Sequence, residues 1–598
     1  MFQDKSVLQY TLSVHSVEEH LFRVTLDLPT HDTDFLELTL PAWIPGSYMI
    51  RDFARNIVRL RAEDNEGKLV DVAKTDKQTW LVQTNGTAIT LTYDIYAFDL
   101  SVRSAFINDE YAFCNGTSVF LQVKGAESLP CSLQINTVSD KPDWLIETSM
   151  PSRQENAASM RFYCENYEEL IDHPVFIGSC QLKSFDVNGV EFVLLFSGKA
   201  PIDTDRIARD LVPVCKHHMQ LFGEPQPISR YVFMTLLSDS GFGGLEHRSS
   251  TALLYPRFDL PLVNEPEDKT DGYITFLSLC SHELFHTWHV KRIKPEVMVK
   301  PDLQAETYTE QLWIYEGFTS FYDDLTLVRA GLIEPEKYLD IVAQNLSRLQ
   351  VNAGRFKQSA AESSFDAWTR FYKQDASATN HIVSYYTKGG IIAMGLDLLL
   401  RTESQGKYNL DNLMKVLWDT YGRDEKGTPN DVIASLCQQH FGIDVNPYLK
   451  NTVFGVEDVP LPKWLDSIGV ALKLRAKSAP DDKGGVARSA KRVGRAFGAV
   501  TKTLETGMMI QVVRQNTPAS RAGLQVNDKL IAMNGYVVNP ALFQRLLDNT
   551  TDQHAELLVI REGRTLSLSM PIEKAAEVVC YFDITDREKL MQWLKVDD

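Results

Sequence analysis

The segment His282-Glu283-Leu284-Phe285-His286 holds two histidines four residues apart and a glutamate directly after the first of them. Apolar residues recur at positions 274, 277, 280, 284, 285 and 288, a spacing that predicts a helix from Tyr273 to Val290. Side chains four residues apart lie on one face of a helix, so both imidazoles can point at one zinc ion. Glu283 lies beside that face, where its carboxylate can reach a zinc-bound water and act as the general base.

A third metal ligand has to come from elsewhere, because a catalytic zinc site takes three protein ligands and keeps one position open. His289 shares the predicted helical face, but it lies about 10.5 Å of helix rise from His282, which is too far for one ion. A ligand six residues after His286 would be Arg292, a cation. The third ligand is therefore expected on another element.

Glu316 is the best candidate for that third ligand. It lies in the segment Leu312-Trp313-Ile314-Tyr315-Glu316-Gly317-Phe318, which has the apolar spacing of a helix. A glutamate on such a stripe is costly to bury unless it is paired or binds a metal. By spacing alone Glu306 and Glu310 are rivals, and the alternative interpretation of Glu316 is an exposed residue at a helix start.

The first part of the chain alternates apolar and polar residues in the manner of strands. Examples are Gln9-Tyr10-Thr11-Leu12-Ser13-Val14 and Ala88-Ile89-Thr90-Leu91-Thr92-Tyr93, and Asn-Gly and Glu-Gly pairs punctuate the strands. This pattern predicts an N-terminal antiparallel β domain over residues 1–170.

The patterns that follow predict a catalytic domain, a helical domain and a second β-rich domain. Strand patterns at 192–196 and 231–234 surround a helical stretch from Asp203 to Leu221, and helical patterns then dominate from 272 to about 460. The predicted boundaries are 171–395 for the catalytic domain, 396–473 for the helical domain, 474–494 for a linker, 495–575 for the β-rich domain and 576–598 for a short helical tail.

Composition restricts the partners and the compartment. The 598 residues carry a formal net charge of −18, which argues against nucleic-acid and anionic-membrane partners, since both need a large basic surface. The N-terminus has no basic segment followed by an apolar core, and no apolar run approaches the ~18 residues of a spanning helix. The eight cysteines show no close pairs, so we expect reduced thiols in the cytoplasm.

Extended along the chain, the histidine segment resembles a known family. Its combination with a downstream Trp-x-x-Glu-Gly-Phe is similar to the gluzincin metallopeptidases. A longer string resembles the glycyl aminopeptidase family, whose members carry a C-terminal PDZ domain: His282-Glu283-Leu284-Phe285-His286-Thr287-Trp288-His289-Val290-Lys291-Arg292-Ile293-Lys294-Pro295. The resemblance extends to Trp43-Ile44-Pro45-Gly46-Ser47-Tyr48-Met49-Ile50-Arg51-Asp52-Phe53, to Gly243-Gly244-Leu245-Glu246-His247 and to Ser384-Tyr385-Tyr386-Thr387-Lys388-Gly389.

The resemblance implies that Glu316 is the third ligand of a single Zn²⁺ and that Glu246 binds the free α-amino group of a peptide. Glu246 matches the glutamate of a Gly-x-Met-Glu-Asn motif in related aminopeptidases, and Gly243 and Gly244 belong to the same substrate-binding stretch. The asparagine of that motif is His247 here, which leaves the role of this position open. The alternative interpretation of Glu246 is a turn residue after glycines.

The same resemblance assigns a tyrosine to the tetrahedral oxyanion. Tyr386 fits the Tyr-x-Lys-Gly pattern of the residue that steadies this charge, and Tyr385 is its rival because the register rests on one motif. Without the resemblance, a Tyr-Tyr pair in an apolar helix would be interpreted as core packing.

The predicted C-terminal domain resembles the central part of a PDZ domain in the stretch from Asn516 to Gly535, NTPASRAGLQVNDKLIAMNG. The stretch Arg495–Ala499 lies where the carboxylate-binding loop would be. PDZ domains bind peptide C-termini by adding them as a strand to a sheet edge. The alternative is that the domain only packs on the catalytic unit.

The patterns along the chain predict a multidomain α+β protein with an N-terminal antiparallel β domain and a helical domain, and the resemblances imply that the other two domains are a thermolysin-like catalytic domain and a C-terminal PDZ domain. The predicted function is zinc-dependent removal of N-terminal residues, small ones such as Gly or Ala, from peptides with a free N-terminus. The alternatives are an endopeptidase that uses the same zinc site and a catalytically silent scaffold that binds peptide C-termini.

Overall fold

A computed structural model of the chain describes residues 6–156, 159–486 and 491–596. The other residues fall in the predicted N-terminal β domain, linker and tail, and lie outside the described residues. The chain divides into two compact units, which are Met1–Thr307 with Leu417–Thr428, and Tyr308–Val416 with Pro429–Asp598.

The first unit begins with a region made almost entirely of strands, as the alternating pattern predicts. Its elements are β1 (Leu8–Ser16), β2 (Leu21–Leu28), β3 (Phe35–Thr39), β4 (Ile57–Asp64), β5 (Leu69–Val70), β6 (Val72–Lys74), β7 (Thr79–Gln83), β8 (Ile89–Tyr96), β9 (Ala105–Ile107), β10 (Tyr111–Cys114), β11 (Gln122–Val123), β12 (Cys131–Asn136), β13 (Leu145–Glu147), β14 (Ser152–Asn156), β15 (Ser159–Cys164), α1 (Tyr167–Ile171) and β16 (Val175–Gly178).

These strands form three sheets. Their strand orders are β14-β15-β12-β1-β2-β8-β4-β5, β13-β16-β10-β9 and β11-β3-β7-β6. Pairing is antiparallel except between β1 and β12, which run parallel. The period-two pattern explains the packing: in β2, Phe22, Val24 and Leu26 are fully buried while the residues between them are more exposed. The N-terminal β domain predicted from the sequence is confirmed.

A mixed sheet follows in the same unit and positions much of the candidate site. Its elements are β17 (Cys180–Val187), β18 (Val190–Ser197), α2 (Thr204–Phe222), β19 (Arg230–Ser238), β20 (Gly243–Glu246), β21 (Ser250–Pro256) and α3 (Asp271–Phe285). The strand order is β17-β18-β19-β21-β20, with the pairs β18–β19 and β19–β21 parallel. Strand β20 pairs antiparallel with β21 and forms an edge of the sheet.

Helix α3 is shorter than the sequence predicts. The Thr270 hydroxyl accepts a hydrogen bond from the amide of Tyr273 and caps the N-terminus. The helix ends at Phe285, so its predicted continuation to Val290 is wrong. The chain turns instead over residues 286–288, and at Val290 its φ of 128° is one that a helix excludes.

The second unit begins with helices, as the sequence predicts. They are α4 (Leu312–Tyr315), α5 (Gly317–Arg329), α6 (Pro335–Gln350), α7 (Ala360–Phe365), α8 (Ala378–His381), α9 (Tyr385–Glu403), α10 (Leu410–Leu417), α11 (Val432–Leu436) and α12 (Asn446–Thr452). Helices α5 and α9 cross very closely, since a Cβ on Gly317 would lie 2.5 Å from the Cα of Gly389. This crossing requires glycine on both helices.

The end of the chain adds a β-rich module to this unit. Its elements are β22 (Val470–Arg475), β23 (Ala499–Thr503), β24 (Met508–Val513), α13 (Pro518–Arg521), β25 (Lys529–Met533), β26 (Tyr536–Val537), α14 (Pro540–Asn549), β27 (His554–Arg561), β28 (Arg564–Pro571), β29 (Val579–Ile584) and α15 (Arg587–Leu594). Strands β23 to β28 form one sheet in the order β23-β24-β25-β27-β28, with β26 paired to β25, and have their own apolar core.

The predicted linker and tail are more structured than expected. Strand β22 begins before the predicted linker and pairs antiparallel with β29, which lies in the predicted helical tail. The module between them is therefore an insertion between two paired strands. Within the linker, Arg475 forms a buried ion pair with Asp482. After β29, the indole of Trp593 on α15 donates a buried hydrogen bond to Asp397 at 2.9 Å.

The cysteines and the helices can be compared with the predictions made from composition. All eight cysteines are free thiols, and seven of them are buried. In the part of the chain that the structure describes, no helix combines the length and the apolar character needed to cross a bilayer.

Candidate active site

The predicted metal ligands form one group. The ligand atoms of His282, His286 and Glu316 all lie within 4.8 Å of one another. Two imidazole nitrogens and one carboxylate oxygen are a donor set that zinc favours, and three protein ligands leave a coordination position open. Glu306 and Glu310, the rivals for the third position, are exposed and do not belong to this group.

The turn after α3 fixes the orientation of one ligand. The Nδ1 atom of His286 lies 2.8 Å from the backbone carbonyl of His289. A carbonyl only accepts, so Nδ1 carries the proton and Nε2 keeps its lone pair for a metal. His289 is thus a neighbour of the metal group through its backbone. The sequence could not indicate this contact, because any residue type supplies a carbonyl.

Glu316 occupies a buried position between α4 and α5. Its side chain is 2% exposed, and its carbonyl accepts the amide hydrogen bond of Ser320 at 2.8 Å. The residues around it in α4 and α5, including Tyr315 and Phe318, are fully buried. A carboxylate in such surroundings needs a partner of opposite charge, which agrees with the sequence argument for a metal ligand.

Glu283 is held against strand β20. It is 4% exposed, and a Cβ added to Gly244 would overlap its carboxylate. Its Oε2 atom lies 3.4 Å from the hydroxyl of Thr251 on β21, which also donates to the carbonyl of Leu245 at 3.0 Å. Only a glycine at position 244 lets the strand approach this closely. Thr251 is a member of the site that the sequence analysis missed.

Glu246 lies at the C-terminal end of β20 and is 4% exposed. A loop of the N-terminal β region covers it, since a Cβ added to Gly46 would lie 2.5 Å from its Oε1 atom. Gly46 has a φ of 93°, a backbone conformation that glycine adopts without strain. The Trp-Ile-Pro-Gly-Ser-Tyr stretch noted in the sequence therefore contacts the carboxylate predicted to bind an amino group.

His247, whose role the sequence left open, belongs to a buried charged network. Its Nδ1 atom lies 3.4 Å from Asp172, and Asp172 accepts a hydrogen bond from the Lys291 ammonium at 2.6 Å. Burial raises the pKa of Asp172, but Lys291 and His247 outweigh this and hold that pKa well below its ordinary value. Burial lowers the pKa of His247, although Asp172 partly offsets the effect. This network joins the end of β20 to the turn after α3.

The two candidate tyrosines differ in their surroundings. Tyr385 is fully buried, with its ring 4.6 Å from that of Phe371 and 4.7 Å from that of Tyr386. Burial and then the negative charge of Glu316 raise the pKa of Tyr386 well above its ordinary value. Tyr386 therefore keeps its proton at neutral pH, as a hydrogen-bond donor must.

Two protein-family models match the chain. The Peptidase M61 N-terminal domain matches residues 9–179, and the M61 glycyl aminopeptidase domain matches residues 275–392. The second range contains all three residues of the metal group. A comparison with curated proteins found no match.

The chain is similar to a solved structure over its full length. That structure is of an aminopeptidase N family protein from Idiomarina loihiensis, with 37% sequence identity, a TM-score of 0.95, and coverage of 98% of this chain and 100% of that one. A weaker similarity is to an M1 zinc metallopeptidase from Deinococcus radiodurans, with 15% identity, a TM-score of 0.47, and coverage of 77% and 96%. A third similarity is to a mutant M1 zinc metallopeptidase from the same organism, bound to a Tyr-Ser-Ala substrate. Its sequence identity is 16% and its TM-score 0.46, with coverage of 77% of this chain and 95% of that one.

Proposed function

This chain belongs to the M61 glycyl aminopeptidase family, and from that premise we propose that it is a zinc aminopeptidase that removes small N-terminal residues, such as glycine or alanine, from peptides. His282, His286 and Glu316 would hold the zinc ion. When bound there, zinc supplies Lewis acidity to the scissile carbonyl and lowers the pKa of a water molecule toward about 7.

The side chains of the chain itself handle the protons. Glu283 takes a proton from the attacking water and delivers it to the leaving amine, and its contact with Gly244 fixes the carboxylate for both transfers. Tyr386 donates a hydrogen bond to the oxygen on which negative charge develops, an effect worth about 3–4 kcal/mol at comparable sites. Tyr385 packs behind Tyr386 and supports its ring.

The observation that supports an aminopeptidase most strongly is the buried carboxylate of Glu246 on the same short strand that meets Glu283. Strand β20 contains both Gly244, which contacts the Glu283 carboxylate, and Glu246. A carboxylate binds an ammonium by charge-assisted hydrogen bonds, which are the strong ones. With the α-amino group at Glu246, the first peptide bond of an extended substrate lies next to the general base.

The cover over Glu246 supports the proposed preference for small residues. The Gly46 loop packs directly on the carboxylate, so little space remains around a bound amino group. A first residue with a bulky side chain would have to displace that loop. We therefore propose glycine and alanine as the preferred first residues.

A pair of matched peptides tests this function. We expect Gly-Ala-Ala to lose its first residue, while N-acetyl-Gly-Ala-Ala stays intact, because acetylation removes the charge that Glu246 binds. Release of glycine is followed by chromatography. Equal cleavage of both peptides would instead favour the endopeptidase alternative.

The catalytically silent scaffold is tested by metal analysis. We expect purified protein to hold one zinc ion per chain, and removal of zinc with a chelator to abolish peptide cleavage until zinc is returned. Protein without stoichiometric zinc, and with no cleavage after zinc is added, would favour the scaffold.

We further propose that residues 495–575 form a PDZ domain that binds peptide C-termini. Strand β23 is an edge of its sheet, and the ring of Phe497 lies 4.6 Å from that of Phe543 on α14, beside this edge. Among the described residues, no acceptor pairs with the amides of Phe497 and Gly498. Such adjacent amides suit a terminal carboxylate.

This second proposal is tested with a labelled peptide library that ends in apolar residues. We expect saturable binding by fluorescence anisotropy, and loss of binding when the peptide C-terminus is amidated. Equal anisotropy for the acid and amide forms would leave the module with a packing role only.

The module contacts helix α8 through Asn380. The side chain of Asn380 accepts a hydrogen bond from the amide of Gln515 and donates one to the carbonyl of Val513.

A further inference from the structure

The side chain of Arg103 lies beside strand β20. Its Nη2 atom donates to the carbonyl of Gly244 at 3.4 Å, and its Nη1 atom would lie 3.5 Å from a Cβ on Gly243. The residue comes from the loop between β8 and β9, in the same unit as β20. The guanidinium is thus next to the strand that meets Glu283 and carries Glu246.

The hydrogen-bonding capacity of this guanidinium is mostly unused. An arginine has five N–H donors. Within the described ranges, the Arg103 side chain makes only the long bond to Gly244, its buried Nε has no acceptor, and no carboxylate pairs with it. By contrast, Arg206 in the same unit donates to the carbonyls of Pro266, Glu267 and Asp268.

The backbone around Arg103 is fixed. Asn115, which is fully buried, donates from its side chain to the carbonyl of Val102 at 2.8 Å and from its amide to the carbonyl of Ser104 at 3.1 Å. The hydroxyl of Ser101 accepts the Arg103 amide hydrogen bond at 3.2 Å. Burying part of a charge without an acceptor is costly, so a fold that holds it in place indicates a ligand that supplies the acceptor.

The position of Arg103 along β20 identifies which part of a substrate it meets. An extended peptide that adds to the free edge of β20 with its amino group at Glu246 runs from Glu246 toward Gly243. At about 3.4 Å per residue, its first peptide bond lies near Gly244 and the one or two residues of the leaving group lie near Gly243. The Arg103 guanidinium therefore faces the leaving side of the substrate.

We propose that Arg103 is a substrate-binding residue that pairs with a carboxylate on the leaving side, and that the preferred substrates are therefore dipeptides and tripeptides with a free C-terminus. A planar guanidinium binds a carboxylate through two parallel hydrogen bonds, which matches its unused donors. This inference rests on the proposed aminopeptidase function. The same carboxylate chemistry could come from an aspartate side chain after the scissile bond.

The first experiment compares acid and amide forms of one peptide on the wild-type enzyme. We expect kcat/KM for Gly-Ala-Ala to exceed that for Gly-Ala-Ala-amide by about tenfold, mainly through KM, since both forms have the same reacting bond. Equal kcat/KM values would overturn the inference and leave the aminopeptidase proposal intact. Release of glycine from neither form would overturn both proposals.

Two substitutions then assign the effect to Arg103. Arg103→Met should remove the preference for the acid form and leave kcat/KM for the amide within about twofold. Arg103→Lys keeps the positive charge but loses the pair of parallel N–H donors. This variant should therefore retain a smaller preference for the acid form over the amide form. Arg61→Met, an exposed arginine on β4, is the matched control and should change nothing.

The pattern of losses separates binding from structure. An equal loss on the acid and amide substrates, in either Arg103 variant, would contradict the inference because it indicates a structural role. If Arg103→Met fails to fold, the wild-type comparison and Arg103→Lys still decide. Gly-Asp-Ala-amide and Gly-Asn-Ala-amide distinguish the carboxylate sources: a preference for the aspartate peptide that Arg103→Met removes assigns the site to side chains as well as C-termini.

Discussion

Helix α3 and strand β20 each carry a buried carboxylate, and each carboxylate packs against a glycine, but the two glycines have very different origins. Glu283 on α3 contacts Gly244 on β20, an edge strand of the mixed sheet that precedes α3 in the chain. Glu246 on β20 meets Gly46, which belongs to a loop of the N-terminal β region. The surroundings of the proposed general base are therefore local, whereas those of the proposed amino anchor depend on a distant part of the chain.

This difference separates two tasks. Residues that move protons should affect kcat, because they act on the reacting bond. Residues that cover or orient Glu246 should act mainly through KM and through the choice of substrate. Substitutions at the two kinds of residue should therefore differ in whether they change kcat or KM.

The largest effect is expected for Glu283→Gln. The amide cannot accept the proton of the attacking water, so kcat should fall about 10³-fold or more while zinc stays bound. Turnover is measured with Gly-Ala-Ala, and metal content by atomic absorption. Activity near the wild-type value, with zinc retained, would show that another group is the general base.

Tyr386→Phe should lower kcat by about 10²- to 10³-fold with little change in KM, because it removes a donor to the developing oxyanion. Tyr385→Phe is the matched control on the neighbouring residue, and it should keep most of the activity since its ring packs in the same place. Steady-state kinetics of both variants decide between the two tyrosines. The opposite ranking would assign the oxyanion contact to Tyr385.

Gly46→Ala tests the distant cover over the amino anchor, and Gly67→Ala is its control. Both glycines have a positive φ, but a Cβ at Gly67 would meet nothing within 4 Å, whereas one at Gly46 would reach Glu246. Both variants should lose about 1–2 kcal/mol of stability. Only Gly46→Ala should raise KM for free-amine peptides, by about tenfold; an equal KM in both variants would break the comparison.

The buried network of Asp172 connects the two regions, and its removal should act on stability. Asp172→Asn leaves Lys291 without its partner, so we expect a loss of about 3 kcal/mol or more at pH 7. The pKa of Asp172 is depressed in the folded state, so its stabilisation is present above about pH 3.9 and is lost as the pH falls through the folded pKa. The difference in melting temperature from wild type should therefore shrink below about pH 4.

An exposed ion pair is the control for that pH series. Asp143→Asn removes the surface contact with Lys199, and it should leave the melting temperature nearly unchanged at every pH. The electrostatic explanation would be contradicted if the difference in melting temperature between wild type and Asp172→Asn stayed constant from pH 7 to pH 3.

Much of the metal group could be predicted from the sequence because its signals are local. His282 and His286 are linked by helical spacing, and Glu316 stands out as an acid on an apolar stripe. The strands of the N-terminal region can also be predicted, because apolar and polar residues alternate within each strand. What the sequence could not show is which strands pair: β22 and β29 are neighbours across an inserted module.

Contacts made by backbone or by glycine were also invisible. The carbonyl of His289 orients His286, and Gly46 covers Glu246. Every residue has a backbone carbonyl and the chain has many glycines, so the sequence does not single out these two positions. The helix to Val290 was overpredicted because apolar spacing continues past Phe285 while the backbone already turns. Such features come from the tertiary fold, which periodicity does not encode.

The most direct test of the separation between chemistry and recognition is the kinetics of Glu246→Gln with zinc content recorded. We expect full zinc occupancy and a loss of about 10²-fold in kcat/KM for Gly-Ala-Ala, with the rate on N-acetyl-Gly-Ala-Ala unchanged from its low wild-type value. A variant that cleaves Gly-Ala-Ala as well as the wild type would contradict the assignment of the amino group to Glu246.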